Sequence, residues 1–123
     1  MIHLLLAAKI LNQLKEPEPS LVQLIHLHLK RIYLSTSYAI AQDNNHGTSE
    51  AAALFIGGAF CILNGDSRGR LWCRKGRRLL EERVQRLVNK DGGFSQYSIN
   101  YHRLFLDTIS VCEIFRRDFE LTR

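Results

Sequence analysis

Apolar positions along the chain fall into five blocks with helical spacing, separated by polar, proline or glycine breaks. Residues 2–14 are mostly strong helix formers, and Pro17 and Pro19 then forbid continuation. Ser20 is an N-cap candidate for a second helix, in which Leu21, Leu24, Ile25, His28 and Ile32 follow the i, i+3, i+4 spacing of one face. Leu27, Leu29 and Leu34 make its other face apolar as well. After a polar stretch at 42–47, Thr48 or Ser49 caps a third helix, with Glu50 in its positive first turn. Its run AAALFIGGAFCIL is apolar nearly all round, which predicts full burial. A loop at 64–67 leads to a long fourth helix with Trp72, Leu79, Leu80, Leu87 and Val88 on its apolar side and arginines crowding the other. Residues 90–93 break the chain again. The fifth helix carries Tyr101, Leu104, Phe105, Thr108, Ile109, Cys112 and Phe119 on one stripe. No segment reads as a strand, so the expected fold is all-α.

The first, third and fifth helices begin near residues 2, 48 and 98, a period of about fifty residues. Alternation of buried and half-exposed helices is what a ring of antiparallel helical hairpins requires. The pattern therefore predicts one domain over residues 1–123 that forms part of an incomplete α/α toroid of about two and a half hairpins. An array of this kind covers its faces with neighbours, so self-association through the open repeat ends is expected.

With 123 residues, 46% hydrophobic and 24% charged, the chain has room for one folded domain and excludes a two-domain enzyme. Its three cysteines, odd in number and without CxxC spacing, offer neither a disulfide framework nor structural zinc. No metal and no cofactor is expected. His26 and His28 lie about 200° apart around a helix and cannot share a metal. Seventeen basic against twelve acidic residues give a net charge of +5, which favours an anionic partner: nucleic acid, an anionic polysaccharide or a membrane surface. The start of the chain lacks a basic leading segment, and Lys9 interrupts its apolar stretch; it reads as a buried helix rather than a secretion signal. Gly57 and Gly58 lack the context of a phosphate loop and are expected to let inner helices approach closely.

The repeat places equivalent positions on one rim, where two polar clusters stand. Asn44, Asn45 and His46 precede the third helix; Gln96, Tyr97, Tyr101 and His102 surround the start of the fifth. Helix N-termini suit an anion such as a carboxylate, Asn45 donates through its amide, His46 donates or carries charge, and Tyr101 exchanges a proton. The structural alternative is that the Asx residues are caps and the tyrosine is half-buried packing.

The runs DNNHGTSEAAALFIGGAF, WCRKGRRLLEERV and DGGFSQYSINYHRLFLD resemble the helical toroid domain of the heparinase II/III-like polysaccharide lyases, a family that includes oligoalginate lyases. The resemblance runs from about residue 2 to 118. It implies β-elimination on a uronate-containing polysaccharide such as heparan sulfate or alginate, and a periplasmic or secreted parent protein. By the same resemblance, Asn45 and His46 neutralise the uronate carboxylate and Tyr101 serves as proton donor, with Asn44, Gln96, His102 and Arg103 lining or orienting the site. The family's further catalytic histidine, from a β-sandwich, has no counterpart in these 123 residues, so elimination by this chain alone is not expected. Neither nucleic acid nor a membrane is the favoured partner under this reading. The rival is a non-catalytic helical-repeat module that binds nucleic acid or an acidic protein through the arginine face of the fourth helix.

Overall fold

The computed structural model describes residues 1–121; the last two residues of the expected 1–123 domain lie outside it. It is all-helical: α1 (Ile2–Ile10), α2 (Pro19–Ala41), α3 (Asn45–Leu63), α4 (Gly69–Leu87) and α5 (Ile99–Asp118). A single antiparallel bridge between Val88 and Phe94 is the only extended pairing among the described residues, so Val88 belongs to a turn and not to α4.

Local chemistry explains where the boundaries differ from the apolar pattern. The first helix ends at Ile10 because Asn12 adopts a left-handed φ of 56°, well before the prolines act. Pro19 opens α2 as its first residue, where a missing N–H costs nothing, so Ser20 lies inside the helix. Asn44, not Thr48 or Ser49, caps α3: its side chain accepts from the His46 N–H at 2.9 Å. Glu50 consequently falls beyond the first turn, where partial burial raises its carboxyl above the usual range despite a bond from Ser35.

α3 is the axis of the molecule, and each of the other four helices packs on it. It is long and apolar enough to cross a membrane by length and composition, yet most of its surface is buried inside the protein. α1, α3 and α5 run in one direction; α2 and α4 run in the other. On one side of α3 lie α2 and α4, joined by Lys75, whose Nζ donates to the Tyr33 carbonyl and sits 4.1 Å from the Tyr33 ring. On the other side α1 and α5 meet through the Lys9–Asp118 ion pair.

The closest approach is between α3 and α4. A Cβ on Gly58 would stand 2.4 Å from the Cys73 backbone nitrogen, and one on Gly76 would stand 2.3 Å from that of Phe55. Gly57, by contrast, faces the Leu29 side chain of α2. The adjacent glycines thus admit the antiparallel neighbours, not the other inner helices as the sequence suggested. Cys61 and Cys112 are buried core thiols, pushed up to about 11 and about 12 by desolvation.

At the far end from the α3 N-terminus, His26 Nδ1 lies 3.1 Å from Asp66 Oδ2 and stacks edge-on against Trp72. Arg68 grips the same carboxylate through Nε and Nη2, each at 2.9 Å, and this grip holds Asp66 down at about 2. A carboxylate depressed below its unfolded value of about 3.9 stabilises the fold above that pH and stops doing so as pH falls through the folded value. The contribution is about 1 kcal/mol once screening of the exposed Arg68 is allowed for. The stability gap between the native chain and Asp66→Asn, measured by urea unfolding, should therefore shrink between pH 4 and pH 2. A gap independent of pH would contradict this account.

Candidate functional site

The N-termini of α3 and α5 share one rim. Asn44 fixes the first, as above, and Ser98 fixes the second by accepting from the Tyr101 N–H at 3.4 Å. The two are tied together by Asn45, whose Nδ2 donates to the Tyr101 carbonyl at 3.3 Å. The rim therefore joins the two polar clusters through backbone and amide chemistry.

The individual side chains are disposed unequally. His46 is exposed and close enough to Glu50 to help lower that carboxyl, against the burial that raises it. Tyr101 is half-exposed at 51%, and Arg103 is exposed. Asn44 spends its oxygen on the helix cap. Asn45 is only 8% exposed, its amide is engaged by Tyr101, and its Oδ1 has no partner among the described residues. One of its two amide N–H groups is spent on Tyr101, and its unpartnered oxygen is an acceptor, whereas a carboxylate needs a donor. His102 lies partly buried in a near-parallel stack on Phe94, with centroids 5.1 Å apart, beside the small cluster of Leu87, Phe94 and Phe105. Gln96 has a buried Oε1 without a hydrogen-bond partner among the described residues. Of the rim residues, His46, Tyr97, Tyr101 and Arg103 present side chains to solvent.

The same end of the molecule holds a charge cluster that the apolar pattern missed. Arg83 is 2% exposed; its Nη1 donates to Asp43 Oδ1 at 2.8 Å and its Nη2 to Glu82 at 2.9 Å. Arg86 grips both oxygens of Asp43 at 2.7 and 2.9 Å, and that bond leads the effects holding Asp43 below the usual carboxylate range. Asp43 sits in the left-handed region, with φ of 50°, immediately before the Asn44 cap. The cluster thus fixes the corner from which Asn44, Asn45 and His46 depart. The signal was available in the spacing: Gly76, Leu80, Arg83 and Leu87 form one seam facing α3, so Arg83 could not belong to a solvated face.

A cavity of about 490 Å³ lies between α1 and α5, lined in part by His3, Ile32, Glu50, Leu104, Asp107 and Thr108. Two carboxyls in its wall, Glu50 and Asp107, make it a poor seat for an anion. The α4 arginine face is also broken up. Arg68, Arg77, Arg83 and Arg86 are ion-paired and Lys75 is bound to Tyr33; Arg70, Arg74 and Arg78 remain without ion pairs among the described residues. Comparison with known protein families, with characterised proteins and with solved structures finds no match to this chain.

Proposed function

We propose that the chain is part of a polysaccharide lyase that cleaves uronate-containing glycans by β-elimination, with the His46–Tyr101 rim as its contribution to the site. The observation that supports this reading is the Asn45–Tyr101 bond, which holds two helix N-termini, each with unpaired backbone N–H groups, side by side. His46 and those N–H groups hold the uronate carboxylate and stabilise the charge that develops when the C5 proton leaves. The C5 proton passes to a base, the further histidine that the resemblance places on the lyase's β-sandwich. Tyr101 meanwhile gives its proton to the glycosidic oxygen as the C4–O bond breaks and the C4–C5 double bond forms. Asn45 acts mainly by fixing the Tyr101 backbone, to which one of its amide N–H groups donates from an 8% exposed side chain. The rival nucleic-acid module is less well supported, because ion pairing leaves α4 only a short unpaired basic stretch.

Binding of alginate and heparan oligosaccharides to the 123-residue chain, followed by calorimetry and by amide chemical shifts, tests the reading. His46→Ala should weaken binding about tenfold, the worth of one hydrogen bond to a charged group. Tyr101→Phe should leave affinity nearly unchanged, because its proton acts only in the reaction. If both variants bind as the native chain does while replacement of Arg70, Arg74 and Arg78 abolishes binding, the rim is not the site.

A further inference from the structure

We propose that the outward face of α2 is a docking seam for an amphipathic helix of a partner protein bearing an acidic residue at the centre of its apolar stripe. This face points away from α3 and is independent of the rim. Leu24, Leu27, Arg31, Leu34 and Tyr38 follow one another at spacings of three and four, which confines them to an arc of about 80° on the helix. The opposite arc, Ile25, Leu29, Thr36 and Ala39, is the one buried in the protein. Leu27 is 57% exposed, Leu34 76% and Tyr38 73%, with Leu24 at 40%. Isolated exposed apolar residues are ordinary; four of them in heptad register over about 21 Å form the seam that a second helix packs into.

Arg31 decides the occupant. It stands at the middle core position of the seam, exposed, its guanidinium without an ion pair among the described residues. Covered by a helix, it loses water and requires a carboxylate opposite. A second copy of this chain presenting the same face supplies none, because α2 contains no Asp or Glu. Lys30, exposed on the same helix one residue before Arg31, adds positive charge beside the seam. A membrane surface is also disfavoured, since interfacial helices keep cations at the flanks of the apolar face, where they reach the headgroups. What remains is a heterologous helix with apolar core positions and an acid facing Arg31.

The test uses a labelled 21-residue helical peptide with Leu at its core positions and Glu at the central one, beside a control with Lys there. By fluorescence anisotropy the Glu peptide should bind the 123-residue chain at least about tenfold more tightly than the Lys peptide. Arg31→Glu should reverse that preference, and Leu34→Ser should weaken both peptides. Both positions are on the surface, so far-ultraviolet circular dichroism should show the variants folded. Absence of binding by either peptide, or a preference that Arg31→Glu does not reverse, overturns the proposal. So does Leu34-dependent binding to phosphatidylserine vesicles without peptide discrimination, or dimerisation of the chain that Leu34→Ser abolishes.

Discussion

Gly76→Ala is expected to destabilise the chain by about 2 kcal/mol or more, although alanine is the better helix former. Helix propensity favours the substitution by about 1 kcal/mol. Against it, the new methyl would meet the Phe55 nitrogen at 2.3 Å, the Ala51 carbonyl oxygen at 2.7 Å and the Leu54 carbonyl carbon at 2.8 Å, all of them backbone atoms. Backbone in the middle of a buried helix cannot rotate aside as a side chain would, so the α3 and α4 axes must separate. That loosens Leu79 and Leu80 against the core, and overpacking of this kind costs about 1–3 kcal/mol, more where the obstacle is rigid. The midpoint of thermal unfolding should fall by about 8 °C. Gly58→Ala meets the Cys73 nitrogen at 2.4 Å on the same interface, so once the axes have parted the second methyl is partly accommodated. The double variant should therefore lose less than the two single losses together. Thermal denaturation followed by circular dichroism measures all three. A Gly76→Ala protein as stable as the parent would mean that α3 and α4 do not cross at this distance.

The helical class was legible because α2 to α5 each repeat their apolar residues with helical period and are separated by Asn, Asp or Gly, whose turn chemistry is local. Helix ends were less so. The choice between Asn44 and Thr48 as the α3 cap depends on Asp43 turning left-handed, and that turn is held by two arginines forty residues downstream. No local signal carries such information. The glycine contacts show the same limit: close approach was evident from Gly57 and Gly58, but which helix approaches depends on Gly69 and Gly76 of α4. At the site, the pairing of the α3 and α5 N-termini follows from the repeat, while the spending of Asn44 on a cap, Asn45 on a carbonyl and His102 on Phe94 follows from packing. Arg83 is hidden among the many arginines of α4 when that helix is read by charge, and only its place on the Gly76–Leu80–Leu87 seam marks it as buried.

Arg83 also gives the second large effect, and a test of which half of a buried pair matters. Asp43→Asn should destabilise by about 2 kcal/mol, whereas Arg83→Met should change stability by less than about 1 kcal/mol. Asparagine retains the tolerance for a left-handed φ that position 43 needs, so the substitution removes charge and little else. What it leaves behind is a guanidinium that is 2% exposed, already carries an unpartnered buried Nε, and would keep only the exposed Glu82 as counter-charge. The penalty stays below the 3–5 kcal/mol typical of a fully enclosed pair because Asp43 itself is 41% exposed and water can enter from its side. Arg83→Met removes the cation and its orphaned nitrogen together, fills the seam with a side chain of similar reach, and leaves Asp43 its two bonds from Arg86. The sign of the pH dependence distinguishes the two variants further. Asp43 is held below its ordinary value, so its contribution is present at neutral pH and lost on acidification. The deficit of Asp43→Asn relative to the native chain should accordingly narrow as pH falls below about 4. Urea unfolding of both variants at pH 7 and pH 3 measures this; equal losses at pH 7 would show that the arginine, and not the pairing, is what the corner before α3 requires.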